Sequence, residues 1–257
     1  MTKKRVIAMI PARMESSRFP GKPLARILEL PMIEHVRRRV ALSEVVDDVY
    51  VATCNQEIFN TVTQYGGKAI MTANTHERCT DRVVEAIQKV EGDIVCVVQG
   101  DEPLFDPGIP AILVKPMLED RTIPCVNLLS VIRDEKDLDN IDIVKAVLDV
   151  RNTIMYFSRS PIPFRRVQSP CPMYRQTGIS AFTKRFLHQY SKLPPTPMEI
   201  AESVDFLRIL EHRLPILGVV YPRETVGVDR PGDIEKVEKI LREDPAQQEI
   251  YKKCLSR

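Results

Sequence analysis

Hydrophobic and polar residues form short segments along the chain, and their spacing predicts strands and helices in alternation. Val6–Ile10 predicts a first strand, and Met32–Leu42 predicts an amphipathic helix with apolar residues at helical spacing. The further predicted strands are Asp48–Thr53, Ala69–Met71, Asp93–Val98, Cys125–Ile132, Ile143–Asp149, Thr177–Phe182 and Ile216–Tyr221. The further predicted helices are Gln56–Tyr65, Thr80–Val90, Ile109–Leu118, Phe182–Tyr190, Pro197–Glu211 and Pro231–Leu241. This alternation predicts an α/β fold with a mostly parallel mixed sheet flanked by helices.

Local signals refine this picture of the fold. Either Thr80 or Asp81 is expected to cap the third predicted helix. Prolines are dense over residues 161–197, which predicts a structured excursion from the sheet. We expect one domain over residues 1–257 that includes a smaller lobe at roughly 155–214.

Composition narrows the partners and the compartment. The chain has 257 residues, 44% of them hydrophobic, and a formal net charge of +2, which argues against a nucleic-acid or membrane partner. Val6–Ile10 is too short for a signal peptide and no apolar run could span a bilayer, so we expect a cytoplasmic protein. Six scattered cysteines favour reduced thiols. The basic run Arg37–Arg39 is expected to form a solvated helix face rather than an anion site.

A loop rich in positive charge follows the first predicted strand. It contains Arg13, Arg18 and Lys22, and prolines and a glycine interrupt it. Ligands of open α/β sheets bind at the carboxyl ends of the strands. Fixed cations and backbone N–H groups suit a polyphosphate. The loop therefore predicts a nucleotide-using enzyme.

Two aspartates, Asp101 and Asp229, could hold a metal ion. The run Gln99-Gly100-Asp101-Glu102-Pro103 follows a predicted strand directly, and a carboxylate there could hold Mg²⁺ against phosphate oxygens. A capped turn explains the same residues equally well. The sheet could bring Asp229 beside Asp101, although its spacing alone favours a role as a helix cap.

The segment His76–Arg82 enters the third predicted helix. Its amides and hydroxyls could contact a nucleotide base and Arg82 could reach an anionic substrate, but a helix N-terminus with incidental charges explains it as well. The chain lacks G-x-G-x-x-G and Walker motifs, which argues against dinucleotide oxidoreductases and Walker-type NTPases. Its four histidines lack the spacing of zinc ligands, and no G-x-S-x-G motif supports a serine hydrolase.

Together these motifs resemble one family, the cytidylyltransferases that activate 3-deoxy-manno-octulosonate (Kdo), also called CMP-Kdo synthetases. The resemblance runs from Val6 to about Leu241, and its specificity lies in the ordered set of motifs rather than in any one of them. In chain order these motifs are Ile10–Leu24, Thr80–Arg82, Gln99–Pro103, Val144-Lys145, Tyr156–Arg159, Pro161–Pro163 and Gly227–Asp229.

The resemblance implies a Rossmann-like nucleotidyltransferase-type domain and a reaction. CTP and an acidic keto-sugar, of the 2-keto-3-deoxy acid class, would give a CMP-sugar and pyrophosphate with Mg²⁺ as cofactor. The product would serve cell-surface glycan or lipopolysaccharide synthesis. The resemblance also implies a homodimer whose subunits meet through the smaller lobe.

The resemblance assigns roles by position. It implies that Arg13, Lys22 and Asp101 are catalytic and that Asp101 and Asp229 bind the metal. The implied nucleotide-binding residues are Ala12, Arg13, Arg18, Lys22, Thr80, Gln99 and Asp101. The candidates for the sugar site, some of which could instead complete a partner subunit's pocket, are Arg82, Gln99, Arg159, Gln176, Ser180, Glu199 and Glu202.

The chain also departs from the family pattern. Arg78-Cys79 stands where the family usually has Ser-Gly, so recognition of the base could be altered. Gln176 and Ser180 replace the family's histidine and first tyrosine on the sugar side, so we hypothesise a modified Kdo-like acceptor. Two alternatives stay open: a nucleotidyltransferase for another base or a sugar phosphate, and a catalytically inactive nucleotide-binding protein.

Overall fold

The computed structural model describes residues 3–16, 18–76, 78–167 and 170–256; Ser17 and Glu77, which lie within predicted motifs, are outside the described residues. The strands are β1 (Val6–Ala12), β2 (Arg26–Ile27), β3 (Leu30–Pro31), β4 (Asp48–Thr53), β5 (Lys68–Met71), β6 (Ile94–Val97), β7 (Cys125–Val131), β8 (Lys145–Leu148), β9 (Ile154–Ser158), β10 (Tyr174–Thr183) and β11 (Leu217–Tyr221). The helices are α1 (Met32–Val40), α2 (Gln56–Gln64), α3 (Cys79–Ile87), α4 (Ile109–Glu119), α5 (Lys136–Asp139), α6 (Lys184–Tyr190), α7 (Pro197–Glu202), α8 (Phe206–Glu211), α9 (Asp233–Glu243) and α10 (Pro245–Leu255).

Backbone contacts divide the chain into two compact units. The first comprises Met1–Ile112 and Thr225–Arg257, and the second comprises Leu113–Glu224. The smaller lobe predicted at 155–214 falls inside the second unit, which extends further in both directions along the chain.

The first unit contains a parallel sheet in the order β6-β1-β4-β5. Strand β1 pairs with β4 from Ile7 to Ala12 and is buried along its whole length. A strand covered on both faces is expected to be apolar throughout, which is why this segment was recognisable. The carboxyl ends of β1 and β6 open into the loops that carry Arg13 and Asp101.

The second unit contains a mixed sheet. Strand β11 runs parallel to β7, whereas β10 is antiparallel to both β7 and β8, and β8 is antiparallel to β9. The pairing of β10 with β7 changes register from Gln176 to Ser180 of β10. Gly178 lies in this stretch and has a left-handed φ of 67°. The predicted α/β class, with mostly parallel strands flanked by helices, is confirmed.

Two helix predictions were wrong. The helix predicted over Pro197–Glu211 is broken into α7 and α8, because Ser203 adopts a left-handed φ of 52° at the end of α7. Neither Thr80 nor Asp81 caps α3; Arg78 holds the cap position, and both residues lie in the first turn.

Helix α10 was not predicted, although Asp244 caps it and Pro245 opens its first turn. It covers the face of α1 that carries the basic run. Arg38 and Arg39 are therefore buried, at 5% and 0% exposure, and the expectation of a solvated face was wrong. Arg38 donates to the Cys254 carbonyl at 2.8 Å, and Arg39 donates to the Gln247 side chain at 2.8 Å.

Two further expectations concern thiols and membranes. The described residues form no disulfide, and burial raises the pKa of the Cys96 thiol to about 12, as expected for a core cysteine. Within the described ranges, none of the helices combines the length and the apolar character needed to cross a bilayer.

Candidate active site

A cavity of about 660 Å³ lies at the carboxyl ends of β1 and β6 in the first unit. Its lining residues are Pro11, Ala12, Arg13, Glu15, Ser16, Arg18, Pro20, Lys22, Pro23, Cys79, Gln99, Gly100, Asp101 and Asp229. The structure thus brings together the predicted metal ligands, the predicted cationic residues, Ala12 and Gln99. The position agrees with the general rule for ligand sites in open α/β sheets.

Backbone hydrogen bonds give the cationic loop its shape. The Gly21 N–H donates to the Met14 carbonyl at 3.0 Å and closes the loop just before Lys22. Gly21 has a left-handed φ of 75°, which glycine adopts without the strain that a side chain would cause. Lys22 then opens a short 3-10 turn, Lys22–Leu24, and its Nζ donates to the Val228 carbonyl at 2.8 Å.

Asn55 also holds the loop, and no pattern in the sequence singled it out. It occupies the cap position of α2 but makes no side-chain cap bond. Its Oδ1 instead accepts from the Met14 N–H at 3.0 Å, and its Nδ2 donates to Glu15 Oε1 at 3.2 Å. Glu15's own backbone N–H and then Asn55 lower the pKa of the Glu15 carboxyl.

Lys22 joins the two predicted metal ligands. Its Nζ lies 2.7 Å from Asp101 Oδ2 and 3.7 Å from Asp229 Oδ1. The two carboxylates therefore lie no farther apart than the sum of these distances. Arg18 Nη2 adds a second cation, 3.1 Å from Asp229 Oδ1. Two acids far apart in sequence thus share one ammonium group at the mouth of the cavity.

The turn that carries Asp229 is fastened at two points. The Val228 N–H donates to the Asp101 carbonyl at 2.9 Å, and Val228 itself is buried in an apolar cluster with residues of α9 and α10. Asp233 Oδ2 accepts from the N–H groups of Asp229 and Arg230 at 3.0 and 2.9 Å. Asp229 is therefore not a helix cap, because the capping position of α9 is Gly232.

The charge of Asp233 is part of this arrangement. Partial burial opposes ionisation of its carboxyl, but the N–H groups of Arg230 and Asp229 and the ammonium of Lys236 lower its pKa on balance. Asp233 thus stays ionised and holds the turn in one conformation.

A smaller cavity, called here the annex, adjoins the main one. Its lining residues are Pro11, Ala12, Arg13, His76, Arg78, Cys79 and Arg82. Arg82 is only 3% exposed, and its Nη1 donates to Thr72 Oγ1 at 2.6 Å and to the Ala73 carbonyl at 3.3 Å. These bonds give Arg82 a structural role, and its predicted contact with the sugar carboxylate stays a prediction. Thr80 is buried and is not among the described residues that line either cavity.

The other predicted sugar-site residues belong to the second unit. Arg159 and Glu202 hold one another: Arg159 Nε donates to the Glu202 carbonyl at 2.7 Å, and Glu202 Oε2 accepts from the Arg159 N–H at 2.9 Å. Glu202 Oε1 also accepts from the Ser158 hydroxyl at 2.6 Å. A direct contact of either side chain with a sugar would require some of these bonds to be replaced.

Glu199 is enclosed by other side chains, and its predicted contact with the sugar stays a prediction. Glu199 is 1% exposed, and both of its carboxylate oxygens accept from the guanidinium of Arg208, at 2.7 and 2.5 Å. Its Oε2 also closes the capping box of α7 by accepting from the Thr196 N–H. The carboxylate is thus enclosed by its own unit.

Gln176 and Ser180 lie on β10 on either side of the register shift. Gln176 is partly exposed and faces Leu129 in the ladder, and Ser180 is 1% exposed and faces Asn127. Their predicted contacts with the acceptor stay predictions.

Comparisons with known proteins place the chain among its relatives. The cytidylyltransferase family model matches residues 7–216. The chain is 38% identical to a 3-deoxy-manno-octulosonate cytidylyltransferase of Geobacter metallireducens, over 93% of this chain and 98% of the relative. It is also 38% identical to one from Escherichia coli, with 95% and 98% coverage.

A solved structure gives the same result for the fold. The structure of a CMP:2-keto-3-deoxy-manno-octonic acid synthetase complexed with CTP aligns with a TM-score of 0.89 and 38% identity, over 93% of this chain and 99% of that one. With a family model matching most of its length and close relatives along nearly all of it, the chain belongs to the cytidylyltransferase family and is a nucleotidyltransferase similar to the 3-deoxy-manno-octulosonate enzymes.

Proposed function

We propose that the enzyme transfers CMP from CTP to a 2-keto-3-deoxy acid sugar, either Kdo or a modified Kdo, and releases pyrophosphate. The observation that carries the proposal is the cluster of Lys22, Asp101 and Asp229 at the mouth of the main cavity. The names of the relatives supply the substrate class. That the base is cytosine and that the acceptor is a 2-keto-3-deoxy acid sugar are proposed for this chain.

The two aspartates suit a magnesium ion. Mg²⁺ commonly takes one or two protein carboxylates and completes its octahedron with substrate phosphates and water. We propose that Asp101 and Asp229 hold Mg²⁺, which when bound would polarise the α-phosphate and offset charge on the triphosphate.

The residues of the loop would act on the triphosphate by position and charge. Arg13, Arg18 and Lys22 line the cavity and would bind its phosphate oxygens. The anomeric hydroxyl of the sugar would attack the α-phosphorus in line, form the new P–O bond and lose its proton, while the bond to the β-phosphate breaks and pyrophosphate leaves. Cations fixed before the reaction stabilise the charge that develops on the leaving group.

Among the candidates for the sugar site, Gln99 lines the main cavity and would bind the carboxylate of the sugar. Gln176 and Ser180 support an acceptor that differs from plain Kdo, since glutamine carries no positive charge and serine is short. An amino-substituted octulosonate is one such acceptor. The CMP-sugar formed would then be a donor for cell-surface glycan or lipopolysaccharide synthesis.

We also propose that the enzyme is a homodimer. The second unit exposes large apolar side chains, among them Met155 at 64%, Phe164 at 86% and Ile200 at 65%. Exposed apolar area of this kind is typical of an interaction surface. Sedimentation equilibrium should give twice the monomer mass, and a monomer at micromolar concentration would reject the dimer.

Pyrophosphate release tests the activity directly. The protein is incubated with CTP, Mg²⁺ and a panel containing Kdo and amino-substituted octulosonates, and the CMP-sugar is identified by mass spectrometry. Asp101→Ala and Asp229→Ala should abolish turnover, whereas the exposed control Asp120→Ala should not. Absence of pyrophosphate with every acid sugar would reject the proposed function, and equal or better turnover of plain Kdo would reject a modified acceptor.

A further inference from the structure

Helix α3 and the turn that follows it bind residues 71–76, the chain segment that precedes the helix. Arg82 Nη1 donates to Thr72 Oγ1 at 2.6 Å, and Lys89 Nζ donates to the Met71 carbonyl at 2.7 Å. Glu85 lies between these two cations in the sequence. Arg82 and Glu85 are three residues apart, so their side chains share one face of the helix, and Lys89 lies in the turn that follows it.

The Glu85 carboxylate is the centre of this contact. Its Oε2 accepts from the Ala73 N–H at 2.9 Å and lies 2.5 Å from His76 Nε2. Its Oε1 lies 3.6 Å from Lys89 Nζ. Burial alone would raise the pKa of Glu85, but the Ala73 N–H, His76 and Lys89 lower it on balance. One ionised carboxylate thus fastens the segment at two separate points.

The fastened segment leads into the wall of the annex. His76, Arg78 and Cys79 line the annex, and Cys79 lines the main cavity as well. Among the described lining residues, the annex includes neither Lys22 nor the two aspartates of the metal cluster. Because Cys79 lines both cavities, the wall formed by His76, Arg78 and Cys79 lies next to the site proposed for the triphosphate, where the nucleoside would lie.

We propose that Glu85 is a positioning residue for the nucleotide: by holding Ala73 and His76 it sets the wall formed by His76, Arg78 and Cys79 and thereby the affinity and selectivity for the base. This inference rests on the proposed function, because it takes a nucleoside triphosphate as the ligand of the main cavity. Glu85 lines neither cavity among the described residues and acts through the segment that it holds.

The test compares Glu85→Ala and Glu85→Gln with Glu249→Ala, which removes a glutamate from an exposed ion pair with Lys253. In Glu85→Ala the KM for CTP should rise roughly tenfold and the preference for CTP over UTP should fall, because a charge-assisted hydrogen bond is lost. The kcat should stay within about threefold of wild type, since the metal cluster is untouched. Glu85→Gln keeps an acceptor for the Ala73 N–H, so its KM should be intermediate.

Calorimetric binding of CTP without a sugar gives a second readout that does not depend on turnover. If the wild-type protein binds CTP but transfers CMP to no acid sugar, the proposed function fails while the role of Glu85 is still measured. An unchanged KM and base preference in Glu85→Ala, or a fall in kcat alone, would overturn the inference. If Glu85→Ala does not fold, Glu85→Gln decides: a raised KM with kcat retained supports the role, and a wild-type KM refutes it.

Discussion

Lys22 neutralises the two aspartates proposed to bind the metal, so its removal should have opposite effects on metal binding and on turnover. In Lys22→Met the alkyl stem is largely kept, while the ammonium that lies 2.7 Å from Asp101 and 3.7 Å from Asp229 is lost. The two carboxylates then face each other without that ammonium. A divalent cation should bind them more tightly in the absence of nucleotide.

The size of the effect follows from distance and exposure. A pair of charges 4 Å apart near a protein surface interacts by about 4 kcal/mol before screening and desolvation are counted. The side chains of Asp101 and Asp229 are 35% and 57% exposed, so a net value of about 1 kcal/mol for each pair is more realistic. The total of about 2 kcal/mol corresponds to roughly thirtyfold tighter binding of the cation.

Binding of Mn²⁺ to the nucleotide-free protein, followed by electron paramagnetic resonance, measures this affinity. Turnover should fall by about 100-fold in the same variant, because the leaving pyrophosphate loses a fixed cation. Lys253→Met, which breaks an exposed pair with Glu249, is the matched control and should change neither quantity. Equal or weaker Mn²⁺ binding by Lys22→Met would refute the reasoning.

Three further variants test the supports of the site and of the fold. Asp233→Ala removes the acceptor for the Asp229 N–H, and urea unfolding should show about 1 kcal/mol lower stability together with a higher Mg²⁺ requirement; an unchanged requirement contradicts the role given to this turn. Asn55→Ala removes the acceptor for the Met14 N–H and should raise the KM for CTP roughly tenfold, whereas a wild-type KM would show that this hydrogen bond does not support CTP binding. His35 is buried and desolvation lowers its pKa to about 4, from an ordinary value of 6.5. Between these values the unfolded chain binds a proton that the folded chain does not, so stability falls as pH drops through this window, by about 3 kcal/mol in all. His35→Gln should remove this component, and an identical pH dependence of unfolding in the variant would show that it does not exist.

The sequence allowed the parallel strands of the first unit to be predicted well, because β1 and β6 are short apolar runs buried along their whole length; the short strands β2 and β3 were not predicted. Strand β4 begins and ends at the predicted residues, and β1 extends only two residues beyond its predicted end, Ile10. The charged positions were harder. The basic run of α1 predicted a solvated face, but only the structure shows that α10 covers Arg38 and Arg39.

The residue types of the site were recognisable, but not all their contacts. Spacing alone left open whether Asp229 lies beside Asp101, because the juxtaposition depends on a tertiary hydrogen bond from the Val228 N–H to the Asp101 carbonyl. The ion pair of Glu199 could not be predicted, since its partner, Arg208, lies beyond a break in the predicted helix. A carboxylate in a sequence does not reveal whether a buried cation already binds it.

The central claim is that Asp101 and Asp229 hold one divalent cation together with the nucleotide. Its most direct test is an Mn²⁺ titration in the presence of CTP, carried out on the wild type, Asp101→Asn, Asp229→Asn and the double variant. The account predicts that each single variant loses most of the affinity and that the double variant loses little more, since both residues serve one ion. Wild-type Mn²⁺ affinity in either single variant would contradict it.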